Sequence, residues 1–137
     1  MEKQRTAATL DEVCLAILRS HTQLAQLLDE LEVHAKAVLD DRADASALDA
    51  TIELVRARFM RSIELEEKLL LPRLPSRARA RRCALSDHAD QRARVEGLAR
   101  DRVVFADAST VAREALVLVH AARKSVADED SWLRQLR

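Results

Sequence analysis

Apolar residues return along the chain every three or four positions, the spacing of one face of an α-helix. The first stripe is Cys14, Ile17, His21, Leu24, Leu28, Leu31, Ala35 and Val38. Thr9 followed by Glu12 supplies a capping box at its start, and the polar run DDRADAS at residues 40–46 ends it. A second stripe of Leu48, Ile52, Val55, Phe59, Ser62, Glu66 and Leu69 stops before Pro72, because proline cannot continue the hydrogen-bond ladder. The loop LPRLPSRARARR leads to a third helix, roughly Arg82 to Val104, with Leu85, His88, Arg92, Val95 and Leu98 on one broad face. Asp107 to Thr110 offers the cap of a fourth helix, on which Val117, His120, Lys124, Asp128 and Trp132 lie near one face. The pattern predicts an all-α fold with breaks near 40–46, 72–81 and 105–110. Short connections between long helices predict an antiparallel up-down-up-down four-helix bundle, residues 1–137 forming one domain.

Composition changes this picture little. One glycine and two prolines in 137 residues suit helix throughout, and 48% hydrophobic residues suit one modest core. Lys plus Arg and Asp plus Glu both total 23, so no net field draws nucleic acid or an anionic membrane. Two Phe, one Trp and no Tyr leave little to stack on bases. No apolar run is long enough to span a bilayer, and MEKQRTAATLDE lacks the apolar centre of a signal peptide, so a cytoplasmic protein is expected. Cys14 and Cys83 read as reduced thiols rather than a disulfide framework or a cysteine zinc site.

The stripes contain residues that a packed helix would not choose. His21, Ser62 with Glu66, His88, and Lys124 with Asp128 fall on the inward faces of the four predicted helices. In a bundle such positions meet in one layer, where histidines and carboxylates build a metal site. A buried carboxylate needs a cation, a metal or a proton beside it.

These residues resemble the hemerythrin-like, or HHE cation-binding, four-helix bundles, which usually hold two non-haem irons. That family carries one His on helix one, His-x-x-x-Glu on helix two followed by Leu-Phe-Pro, one His on helix three and a second His-x-x-x-Glu on helix four. SIELEEKLLLP matches the second element with Ser62 at the histidine, Glu66 at the glutamate and Pro72 at the proline. SHTQLAQLLDELEVHA supplies His21, and SDHADQRARVEGL supplies His88. In RKSVADEDSWLRQL, Lys124 falls at the histidine and Asp128 at the glutamate. The resemblance implies reversible binding or sensing of O2, NO or iron. Ser62 and Lys124 stand at replaced ligand positions, so a diiron centre is not expected.

His21, Glu66, His88 and Asp128 remain as candidate ligands for one Zn or Fe ion. The favoured expectation is nevertheless that the site holds no metal, Lys124 neutralises the carboxylates, and the chain is a non-catalytic interaction or regulatory module with a protein partner or a second copy of itself; a single-ion metal protein or a sensor of O2, NO or iron is the alternative. His120, one turn before Lys124, is a candidate displaced ligand, although a rise of about 6 Å over four residues argues for a core histidine. His34 lies off the stripe. Arg77, Arg79, Arg81 and Arg82 form a basic cluster without the glycine-rich loop of a phosphate site. The chain has no nucleophile, dinucleotide or Cys-x-x-Cys signature, so binding is expected rather than catalysis.

Overall fold

The computed structural model describes residues 8–75, 78–104 and 107–136. Among these residues the chain forms four long helices and no strand: α1 (Leu10–Leu39), α2 (Ala45–Leu65), α3 (Arg79–Val104) and α4 (Ala108–Leu136). A π-helical turn (Glu66–Leu70) and a 3-10 turn (Leu71–Arg73) extend α2. None of the described helices is long and apolar enough to cross a membrane.

Local chemistry sets the boundaries. Thr9 Oγ1 accepts the Glu12 N–H at 3.1 Å, as the sequence predicts. At the far end of α1 the Arg42 N–H reaches the Ala37 carbonyl and the Asp41 N–H the Val38 carbonyl, a Schellman closure. It places Asp41 at φ 56, the left-handed region that glycine usually occupies. Asp44 caps α2 through the Ser46 N–H, and Asp107 caps α4 through the Ser109 N–H with a further bond from Thr110. α3 begins at Arg79, three residues before the predicted start.

Two deviations from the predicted faces matter for the site. After Glu66 the backbone closes a wider turn, the Leu71 N–H bonding to the Glu66 carbonyl five residues back. The extra residue rotates the helix, so Leu70 is fully buried while Leu69, expected on the stripe, is 42% exposed. On α4 the buried face is Val111, Ala112, Ala115, Leu118, Val119, Ala122 and Leu133. Val117, His120, Lys124 and Asp128 are exposed, and Trp132 is only half-buried. The predicted face was therefore one residue out, because the inward positions of α4 are largely alanines, whose apolar signal is weak. On α3, Leu85 and Arg92 are likewise exposed.

The apolar interior falls into two clusters. The larger runs from Leu24 to Val38 on α1, Leu48 to Ile63 on α2, Val95 and Leu98 on α3, and Val111 to Ala122 on α4. The smaller joins Val13, Cys14, Ile17, Leu70 and Leu133. Along α1 the two are separated by buried Ser20 and His21, and between Ile63 and Leu70 by buried Glu66. Ion pairs tie the outer seams. Arg102 meets Glu53 and the Asp49 carbonyl, Arg56 meets Glu96, and Arg92 meets Glu67, so residue numbers rise along α2 as they fall along α3. Arg123 of α4 reaches Asp29 and Glu32 of α1, and His21 of α1 lies against Glu129 and Asp130 of α4, so these numbers oppose as well. These pairs are largely exposed and screened by solvent, so each adds little to stability. Their effect is on register more than on stability.

Candidate metal centre

The polar layer between the two clusters is built by one turn from each long element. His21 is placed inward by the α1 stripe, His88 by α3 and Glu66 by the start of the π turn; they are 2%, 0% and 5% exposed. The fourth member is Glu129 of α4, one position beyond the predicted Asp128.

His21 Nε2 lies 2.9 Å from Glu66 Oε1 and 3.3 Å from Glu129 Oε2. His88 Nε2 hydrogen-bonds Glu66 Oε2 and lies 3.6 Å from Glu129 Oε1. Each carboxylate thus presents one oxygen to each imidazole. Ligand atoms of His21, Glu66 and Glu129 fall within 4.8 Å of one another. Glu129 Oε1 is buried without a hydrogen-bond partner.

The imidazoles differ in what lies behind them. His21 Nδ1 is 2.6 Å from Asp130 Oδ1, so both its ring nitrogens face carboxylates. His88 Nδ1 is buried without a hydrogen-bond partner. Its nearest acidic neighbour is Glu67 Oε2 at 3.9 Å, and Arg92 Nη2 lies 2.7 Å from both oxygens of that carboxylate.

The charges of the layer follow from this geometry. Burial works against a charged His21, but Glu129, Glu66 and Asp130 outweigh it and lift its pKa to about 10. Burial opposes His88 in the same way, and Glu129 and Glu66 raise it to about 9. Burial pushes Glu66 up against its hydrogen bonds to the two histidines. For Glu129 the attraction of His21 and His88 overcomes burial and holds the carboxyl well below the usual range. At neutral pH the two imidazoles thus hold protons against the Glu129 carboxylate.

Two imidazole nitrogens with two carboxylates form a donor set suited to zinc or ferrous iron. The Nδ1 of His21 on a carboxylate is the outer contact that metal-binding histidines usually make. The buried Glu129 oxygen without a hydrogen-bond partner at the centre of the layer is a position that a cation would satisfy. The residues present therefore fit a metal ion.

Lys124 and Asp128 are exposed and do not enter the layer. Ser125 takes the inward-facing position instead, half-buried and 3.4 Å from Asp87 Oδ1. It stands four residues before Glu129, as Ser62 stands four before Glu66. The Lys124 ammonium does not neutralise the carboxylates, contrary to the expectation from sequence. His120 is exposed and is not a displaced ligand facing the layer. Sequence reasoning missed Glu129, Asp130 and Glu67. The phase of Ala115, Leu118, Ala122 and Leu133 would have located Glu129, since counting back four from Leu133 reaches it. Arg77 lies outside the described residues; Arg79 and Arg82 are exposed and gather no site.

A groove of about 480 Å³ between α3 and α4 is lined by Cys83, Asp87, Asp90, Asp128, Glu129 and Trp132 among others. Its described lining carries four carboxylates and neither lysine nor arginine, a field that favours a cation. A second cavity of about 300 Å³ reaches Ser125 and is walled by Phe59, Gln91 and Leu118. No family model, curated protein or solved structure matches the chain.

Proposed function

We propose that the chain is a metal-binding protein that takes one divalent transition ion, zinc or ferrous iron, on His21, Glu66, His88 and Glu129. The observation that carries this reading is the convergence of both histidine Nε2 atoms on both buried carboxylates. We place it in an antiparallel up-down-up-down bundle of the hemerythrin-like kind. The opposed numbering of the α2–α3 and α1–α4 ion pairs supports the arrangement, and two Ser-x-x-x-Glu elements in place of His-x-x-x-Glu support the likeness. Serines at those two positions withdraw two nitrogens, which favours one ion over two. They also leave room beside the ion, which would supply open coordination positions to a small ligand such as O2 or NO. The function is then binding or sensing, with no catalytic step.

A second reading is a metal-free regulatory or interaction module, in which the raised histidine pKa values keep the layer neutral by protons alone. Elemental analysis of protein purified without chelator, followed by titration with Zn(II) and Co(II), separates the two. The metal reading expects one ion per chain and the cobalt absorption of a low-coordinate N/O site. Two irons per chain would reject the single-ion site. No uptake at micromolar metal would leave the metal-free module.

A further inference from the structure

The two histidines of the layer have the same inner partners and different outer ones. His21 is braced by Asp130, one residue beyond Glu129 on the same turn of α4. The equivalent carboxylate for His88 is present in Glu67, one residue beyond Glu66 in the π turn that extends α2. Both its oxygens are held instead by Arg92, which sits four residues after His88 on α3. The result is a buried His88 Nδ1 that finds no acceptor although a carboxylate oxygen lies 3.9 Å away.

Resting on the metal reading above, we propose that Asp130 is the positioning residue of the centre and that Arg92 withholds the matching support from His88. His21 is then the anchoring ligand and His88 the exchangeable one. The physical reason is ligand basicity and aim. An outer carboxylate fixes the ring orientation, selects the tautomer with Nε2 free for the metal, and increases electron density on that nitrogen. His21 has this support. His88 reaches the ion with a ring held by packing alone, while the Arg92–Glu67 pair keeps the missing acceptor at a distance too long for a hydrogen bond. Loss of Arg92 would free Glu67 to close that gap, because the pair is partly exposed and has no other described tie to the layer.

The test is competitive zinc titration against a chromogenic chelator, with stoichiometry and helical circular dichroism recorded for each variant. Asp130→Asn should lower zinc affinity about 10- to 100-fold, the usual effect of losing an outer carboxylate, with one ion per chain still bound at saturation. Arg92→Gln should raise affinity about three- to tenfold, in the same range of outer-contact effects. Adding Glu67→Gln to Arg92→Gln should cancel that gain, while Glu67→Gln alone should leave affinity unchanged. A merely structural Arg92 would give no gain of binding, so that arm separates positioning from folding. An Asp130→Asn protein that binds zinc as the natural chain does, or an Arg92→Gln protein without gain, would overturn the proposal while leaving the metal site standing. A natural chain that takes up no zinc would instead overturn the metal reading, and this proposal with it.

Discussion

Helix α2 and helix α4 carry the same element, Ser62-x-x-x-Glu66 and Ser125-x-x-x-Glu129, yet the sequence announces only the first. On α2 the element follows Leu48, Ile52, Val55 and Phe59, large residues whose spacing fixes the inward face before Ser62 is reached. On α4 it follows Ala112, Ala115 and Ala122 with Leu118, and the small residues leave the phase ambiguous. Alanine faces let helices approach closely, and they bury well. Their weakness is as a signal, since exposed alanines are equally common on a helix of high propensity.

Side-chain truncation probes the two phases with the largest expected effects. Leu70→Ala should cost about 2–5 kcal/mol, the range for a buried leucine, whereas Leu69→Ala should stay within about 0.5 kcal/mol. On α4 the same contrast is expected between buried Leu118 and exposed Val117. Urea unfolding measures both, and equal costs for Leu69 and Leu70 would remove the π turn from the account.

Ligand deletion comes next. Glu129→Ala should weaken zinc binding by more than the roughly 10–100-fold of an outer-contact loss, and Asp128→Ala should leave it within about twofold. A larger effect at Asp128 would restore the register predicted from sequence. The gain-of-function version replaces both serines. Ser62→His with Ser125→His adds two imidazoles on the inward faces and should raise iron affinity by about tenfold or more, or admit a second ion. Lys124→His in place of Ser125→His should add nothing, because that side chain points to solvent.

The smallest effect expected is that of pH. His21 and His88 have folded pKa values of about 10 and 9, above the ordinary 6.5. Their contribution to the stability of the metal-free chain is fully present below about pH 6.5 and is lost as pH rises through 9 to 10. The melting temperature of chelator-treated protein should fall across that window by at least about 3 °C, corresponding to roughly 1 kcal/mol for a chain of this size. Zinc affinity should move the other way, rising with pH as the ion displaces protons from the same nitrogens. A metal-free melting temperature that climbs from pH 7 to pH 10 would contradict the charge assignment.

The all-helical fold was legible because breakers and caps coincide: Thr9 with Glu12, the acidic turn before Ala45, Pro72, and Asp107 all end or begin elements where the spacing places them. Three members of the layer, His21, Glu66 and His88, were legible as polar residues on otherwise apolar stripes. The rest was hidden for identifiable reasons. Glu129 was masked by the alanine face and by standing between two other acidic residues in ADEDSW. Leu70 was masked by a π turn, which no periodic template contains. Asp130 and Glu67 act only through pairings across helices, and a single sequence does not display those.

The polar layer also divides the molecule into cooperative parts. Above it, eighteen buried apolar side chains from four helices form one cluster; beyond it, Val13, Cys14, Ile17, Leu70 and Leu133 form a patch of five. A patch that small, set off from the main core by the polar tier, is expected to open locally at a lower free energy than the main core. Amide hydrogens near Cys14, Leu70 and Leu133 should therefore exchange well before those around Leu28 and Val55. A bound ion ties α1, α2, α3 and α4 at the boundary, so occupancy would slow exchange most in the small patch, several residues from any ligand. The patch would thus report the state of the centre as a change in fraying at one end of the helices.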